Sequence, residues 1–318
     1  MPVRPSGSQR RSGTECQTTP PCWHAAAVST RVPAWSLAVA AMLSVQIGAA
    51  YSTNLFSSVG PAGTSWLRLT MGALIFLALK RPSLRGVGRH DLLVVLALGV
   101  ATGLLTTAFL SAVDRIPLGT AVAIEFLGPL GVAVARSHDR RLLVWPGVAL
   151  VGVLLLTEPW QGAIDPVGVA LAAVSGLCWG TYIVLTQQVG DRFSGLGGLS
   201  ITIPVAAVTA AFFGVPQARG HITWQVLAAA LGLALLLPVI PFSLELMALR
   251  RLTTAAFGTL MALEPGIGVL AGLVILGQVP AAPQVVGVAL VVVAGVGAER
   301  NGHRGGGHDE GVVPLGTA

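Results

Sequence analysis

The sequence predicts an all-α integral membrane protein with ten transmembrane helices arranged as two inverted five-helix repeats. Three observations predict it: a composition that no water-facing surface accommodates, a run of span-length apolar segments with one-sided flanking charge, and an internal match between the halves. Of 318 residues, 53% are hydrophobic and only 10% charged, where soluble domains carry about 25% charged residues. Lipid is the solvent that stabilises such a chain, and in lipid a helix satisfies its own backbone. At about 20 residues per span plus short loops, the length fits about ten spans.

The apolar runs fall, in order, at 34–54, 62–79, 92–113, 118–135, 142–157, 166–187, 196–214, 225–248, 253–276 and 283–298. Short segments rich in Gly, Pro and charge separate them, as turns require. Residues 1–32 carry Arg4, Arg10, Arg11 and Arg31 among many Ser, Thr and Pro, and read as a disordered cytoplasmic tail. The Gly- and His-containing stretch 299–318 reads the same way, so His303 and His308 are tail residues and no metal site is expected. Residues 33–158 form the expected first repeat and 166–298 the second. Cys16, Cys22 and Cys178 match neither a disulfide framework nor a zinc spacing.

Charge fixes direction. With the N-terminus in the cytoplasm, sixteen of the 19 basic residues fall inside: the four of the N-tail, Lys80, Arg81, Arg85, Arg89, Arg136, Arg140, Arg141, Arg192, Arg250, Arg251, Arg300 and Arg304. Arg115 and Arg219 fall outside and Arg68 lies within a span. This asymmetry follows the positive-inside rule and places both termini in the cytoplasm of a bacterial inner membrane. The net charge of +6 therefore serves topology and not nucleic acid, since the basic residues sit between apolar runs and form no stripe.

The segment AVDRIPLGTAVAIEFLGP (112–129) aligns without gaps on ALRRLTTAAFGTLMALEP (248–265), matching Ala112 with Ala248, Arg115 with Arg251 and Pro129 with Pro265. Each piece carries a glutamate shortly before its proline. A weaker echo links GAAYSTNLFSSVG (48–60) with CWGTYIVLTQQVG (178–190). Five spans per half, an odd number, turn the second half upside down, and inverted repeats of this kind place a substrate site near the midplane. Glycines four residues apart, as at Gly99/Gly103 and Gly268/Gly272, support close helix packing.

Ionisable groups within spans are costly and mark function by default. Four qualify: Arg68 in LRLTMGAL, Glu125 in AVAIEFLGP, Glu245 in PFSLELMAL and Glu264 in LMALEPG. Glu245 lies close to Arg250 and the membrane interface, where snorkelling explains it equally well. Arg68 and Glu125 lie at similar depth, so a structural ion pair and a functional role both stand. Glu264 has no cation at its depth in its own helix and precedes Pro265, whose missing N–H frees a carbonyl. Burial disfavours the charged form of a carboxyl, which lets it exchange a proton near neutral pH, whereas an arginine keeps its proton and binds carboxylate bidentately. Together they suit an amino acid or similar zwitterion as substrate and protons as the coupling ion. Gln46, Tyr51, Asn54, Thr106, Thr107, Trp179 and Tyr182 add polar or aromatic lining, with Trp179 and Tyr182 one turn apart on a shared face.

An enzyme is not expected. All six histidines (His24, His90, His138, His221, His303 and His308) lie in loops or tails, and Asp91 and Asp114 lie only at span edges. Neither a Ser–His pair nor an aspartate pair at membrane depth is available. No G-x-x-x-x-G-K-[ST] loop is present, which excludes ATP-driven pumping within this chain, and no cofactor is implied.

The stretches IPLGTAVAIEFLGPL, PFSLELMALRRL, FGTLMALEP and GLCWGTYIV closely resemble bacterial threonine/homoserine exporters, which are EamA-type transporters of the drug/metabolite transporter superfamily. The resemblance runs over about residues 33–298. It implies ten helices, two EamA repeats, an inner-membrane location, and efflux of threonine, homoserine or similar amino acids by proton antiport. Export of another small metabolite or drug is the alternative on the same fold, and a channel or scaffold subunit is the alternative from another class. Many relatives end the repeat with an acidic residue after Leu-Gly. Here Leu276 and Gly277 are followed by Gln278.

Overall fold

The computed structural model describes residues 33–79, 88–135, 143–158, 165–189, 196–249 and 260–302. The two tails expected to be disordered, apart from the first residues of the second, lie outside them. So do most of the loops that carry the inside charge, including Lys80, Arg81, Arg85, Arg136, Arg140, Arg141, Arg192, Arg250 and Arg251.

Among the described residues the fold is all helix, with no strand. In chain order the helices are α1 (Ala34–Ser52), α2 (Phe56–Leu79), α3 (Arg89–Val113), α4 (Leu118–Glu125), α5 (Leu127–Ala135), α6 (Val144–Thr157), α7 (Pro166–Val189), α8 (Leu196–Ala218), α9 (Trp224–Ala234), α10 (Ile240–Leu249), α11 (Glu264–Leu276) and α12 (Ala282–Gly302). Six stretches are long and apolar enough to cross a membrane: Trp35–Leu79, Arg89–Val113, Leu118–Ala135, Pro166–Thr186, Gly198–Ala218 and Trp224–Glu245. Val144–Thr157, Glu264–Leu276 and Ala282–Ala298 are shorter apolar helices. The first stretch is 45 residues long, or about 68 Å if straight, more than twice a bilayer core. It is broken at Gly60, whose φ of 71° is outside the helical region, with Pro61 starting the next segment.

Three further breaks interrupt helices that the sequence reads as continuous. The ladder lapses at Phe126, between α4 and α5, because Pro129 has no N–H for the carbonyl of Glu125. A turn at Ala262–Leu263 precedes α11, where Pro265 likewise cannot reach Met261. Phe126 and Ala262 are equivalent in the ungapped internal alignment, so both helices break at the same position. The third is a π turn at Leu235–Val239 between α9 and α10, with Leu237 extended next to Pro238. At the C-terminus, α12 runs to Gly302 and so takes in residues 299–302, which the sequence assigns to the tail. Ala298, Glu299 and Arg300 are good helix formers and continue the last turn.

Packing is between sequence-distant helices. α2 packs on α8 and α9, α3 on α7 and α8, α6 on α12, α1 on α10 and α11, and α4 on α11, while α4 and α5 both lie against α7. Small residues make these approaches possible. A Cβ on Gly152 of α6 would come within 2.6 Å of the Gly287 carbonyl of α12, and the reverse distance is also 2.6 Å. Gly128 of α5 is held still closer to the backbone of Gly176 in α7.

Gly128→Val is therefore expected to destabilise the bundle by at least about 3 kcal/mol, the upper range for overpacking. Gly131→Val, in open space one turn on, should leave the melting midpoint nearly unchanged. Thermal unfolding of the detergent-purified variants checks both.

Candidate functional site

A cavity of about 530 Å³ lies inside the bundle. Its deep end is formed by Gln46 of α1, Arg68 of α2, Thr106 of α3, Glu125 of α4 and Glu264 of α11. From there it extends past Trp179 and Tyr182 of α7 and Glu245 of α10. It reaches the last turns of four helices, at Ala133 of α5, Thr186 of α7, Glu245 of α10 and Ala298 of α12. The opposite end of the bundle is packed shut. There Gly119 and Val122 of α4 press on Val269 and Gly268 of α11, and Gln278 Oε1 accepts a hydrogen bond from the Leu118 N–H at 3.0 Å. That bond caps the first turn of α4, where backbone donors have no helical partner.

The helices bring seven of the eight sequence-derived site residues to this cavity: Gln46, Arg68, Glu125, Trp179, Tyr182, Glu245 and Glu264. Tyr51 is not among them and is 48% exposed. Five residues along a helix from Gln46, it is rotated about 140° from that residue's face. Asn54 is likewise exposed. Thr107 is buried but bonds to Ser65 Oγ at 3.2 Å and to the Gly103 carbonyl at 2.8 Å, tying α3 to α2.

Arg68 is only 2% exposed and is the largest fully buried side chain. Among the described residues it makes no ion pair, so its similar depth to Glu125 does not bring the two into contact. Its Nη1 donates weakly to Ser52 Oγ at 3.4 Å, and its Nε has no partner. Gln46 Nε2 donates to Glu264 Oε1 at 3.2 Å, which leaves Gln46 Oε1 and Glu264 Oε2 without partners. Glu125 Oε1 instead meets the hydroxyl of Ser175 on α7. Phe126 and Trp179 pack edge to face with ring centroids 6.4 Å apart, closing one wall. Buried polar atoms are normally satisfied, and each exception calls for an explanation. Here the three unpaired polar atoms, one donor and two acceptors, belong to three residues that line one cavity.

Ser175 and Ser52 are absent from the sequence-derived set. A signal for Ser175 was present, since Ser175, Trp179, Tyr182 and Thr186 follow the i, i+4, i+7, i+11 spacing of one helical face. Ser52 carries no such signal. On the closed side, Arg115 donates to Asp165 at 2.7 Å and joins the loop after α3 to the start of α7. The guanidinium holds this solvent-facing carboxyl below the usual carboxylate range. The pair is therefore intact at neutral pH and is lost only as pH falls through that lowered range.

The profile of the EamA-like transporter family matches residues 166–297. The threonine/homoserine exporter RhtA of Salmonella typhimurium is 34% identical over 276 residues, covering 85% of this chain and 93% of its own length. RhtA of Escherichia coli is 33% identical over 279 residues, covering 84% and 92% respectively. The chain belongs to the EamA-like transporter family. It is accordingly a multi-pass membrane protein, and its apolar helices are membrane helices. A solved crystal structure of another protein aligns over 89% of this chain and 100% of its own with a TM-score of 0.57. At 19% identity that likeness is one of fold alone.

In this family member the glutamine after Leu276–Gly277 has a definite place, as the acceptor that caps α4. Gln278→Leu leaves the Leu118 N–H without that acceptor and is expected to cost about 1–3 kcal/mol. Gln278→Glu keeps an oxygen at a helix N-terminus, where negative charge is favoured, and should retain the parent's melting midpoint. Thermal unfolding in detergent compares the two.

Proposed function

We propose that this protein is a secondary transporter that exports small amino acids of the threonine/homoserine type across the bacterial inner membrane, by proton antiport with alternating access. The observation that carries this reading is the buried guanidinium of Arg68, without an ionic partner among the described residues, in a cavity that also holds Glu125 and Glu264. A fixed cation with free donor capacity suits a carboxylate. Two carboxyls nearby suit an ammonium when ionised and store protons when not. A zwitterion meets both requirements, and the relatives named threonine/homoserine exporters fit that chemistry.

The proposed architecture is ten spans in two inverted repeats, with both termini cytoplasmic. Dividing the 45-residue stretch at Gly60 gives seven long spans, and the three shorter apolar helices bring the number to ten. Helix pairing also supports the repeat. Exchanging the halves maps α3 on α7 to α10 on α1, α3 on α8 to α9 on α2, and α4–α5 on α7 to α11 on α1. It leaves α2 on α8, α4 on α11 and α6 on α12 unchanged. The family profile covers the proposed second repeat. In this topology the cavity opens to the cytoplasm and the Gln278 end is the closed periplasmic gate.

Substrate enters from the cytoplasm, its carboxylate on Arg68 and its ammonium toward Glu125 and Glu264. Proton release and uptake at these acids then link the inward- and outward-open states. The cavity volume lies in the range of drug-sized ligands, so a larger or more apolar metabolite is the second reading on the same site.

Proteoliposome counterflow with labelled threonine and homoserine tests the cargo. Saturable exchange of either is expected, exchange of an unrelated solute alone would favour the second reading, and no saturable exchange of any amino acid would overturn the first. Arg68→Gln removes a charged hydrogen bond, so its half-saturation concentration should rise about 10- to 100-fold. Glu264→Gln should still support downhill counterflow while losing accumulation driven by a pH gradient. Retained accumulation would remove Glu264 from the coupling step.

A further inference from the structure

Ser175 lies behind Glu125, outside the cavity lining and with none of its surface exposed. Its hydroxyl touches two oxygens, Glu125 Oε1 of α4 and the Leu105 carbonyl of α3, the latter at 3.0 Å. A serine hydroxyl has one hydrogen to donate and a carbonyl can only accept. Both contacts are hydrogen bonds at once only if Ser175 donates to Leu105 and Glu125 donates to Ser175. That arrangement requires a protonated carboxyl. When Glu125 loses its proton to water, it becomes a pure acceptor. Ser175 then turns its hydrogen toward the carboxylate, and the Leu105 carbonyl loses this bond. No covalent bond other than the O–H of Glu125 is involved.

We propose that Ser175 is a positioning residue that converts the protonation of Glu125 into a change in how α4 and α7 are tied to α3. The relay α4–α7–α3 is complete in the protonated state and open at Leu105 in the ionised state. Leu105 and Thr106 are neighbours on the wall of the cavity, so the relay ends where substrate would sit. The ionisable groups facing Glu125 across the cavity are Arg68 on α2, Tyr182 on α7, Glu245 on α10 and Glu264 on α11. Cys178 lies one turn beyond Ser175 on α7. Of these elements only α7 gives the Glu125 carboxyl a direct hydrogen-bond partner among the described residues, through Ser175.

This inference rests on the proposed coupling role of Glu125, and its test is chosen to separate the two. Infrared difference spectra recorded across a pH titration of the full-length protein give a protonated-carboxyl band for Glu125, assigned by its loss in Glu125→Gln. In Ser175→Ala the midpoint of that band should rise by about half a pH unit, because the charge-assisted bond lost from the ionised form outweighs the two neutral bonds lost from the protonated form, one of which goes to a Leu105 carbonyl already within the α3 ladder. The midpoint of threonine counterflow against pH should move with it. Ser175→Cys keeps a weak donor and should shift less, and it alone carries the test if the alanine variant does not fold. Glu125→Gln combined with Ser175→Ala should transport no worse than Glu125→Gln alone, the signature of action through one group. An unmoved band in a folded variant overturns the proposal. A shifted band with pH-independent counterflow leaves the relay standing and removes the coupling role from Glu125.

Discussion

The structure is organised around one charge that it cannot remove. The guanidinium of Arg68 does not deprotonate, it is 2% exposed, and no carboxylate among the described residues pairs with it. Isolated charges in a low-dielectric interior cost several kcal/mol after relaxation. A bundle otherwise able to bring backbones as close as Gly152 and Gly287 could have closed over this position, yet it keeps a cavity of about 530 Å³ there. A buried cation is stabilised by water or an anion beside it, and Arg68 lines the cavity where either fits. Gln46, Glu264 and Glu125 share that space, and Gln46 and Glu264 each hold one unpaired oxygen.

Broken helices put the acids there. A straight helix buries its carbonyls within its own ladder, so a cavity lined only by such helices offers side chains alone. Pro129 and Pro265 each withdraw one N–H, from the carbonyls of Glu125 and Met261, and both of these residues line the cavity. Irregular backbone at membrane depth is tolerated where it faces protein or a cavity, and these breaks meet that condition. They also end α4 on Glu125 and begin α11 on Glu264, so each acid sits at a helix terminus.

Much of this was legible before any coordinates, for a reason specific to lipid. A soluble protein hides its site residues among many charged ones, whereas Arg68, Glu125, Glu245 and Glu264 stand alone in apolar runs. What sequence position could not supply was azimuth. Tyr51 reads as lining alongside Gln46, but five residues of helix turn it away from the cavity that Gln46 lines. Arg68 and Glu125 share a depth without sharing a contact. The break at Leu237 lies in LALLLPVIPF, where apolar composition continues unbroken through the π turn and only Pro238 and Pro241 mark the place. Ser175 went unremarked because a serine in a membrane helix commonly bonds its own i−4 carbonyl, as Thr102 and Thr157 do here. Its departure from that habit is visible only in three dimensions.

The two acids are not equivalent, and this bears on how the proposed pair of repeats acquires direction. In the ungapped alignment Glu125 corresponds to Met261, and Glu264 corresponds to Gly128. Each half therefore contributes one carboxyl next to its helix break, but from opposite sides of that break. The partners differ accordingly. Glu264 receives an amide N–H from Gln46, and its Oε1 accepts that bond in either protonation state. Glu125 meets a hydroxyl, which can either accept from it or donate to it. Two acids at one cavity with identical surroundings would compete for the same proton. With an amide on one and a hydroxyl on the other, only the contact at Glu125 can reverse direction with the proton, while the Gln46 bond to Glu264 stands in either state. In the proposed inverted-repeat architecture such a difference distinguishes the two directions, and it lies in the residues that face the acids more than in the acids themselves.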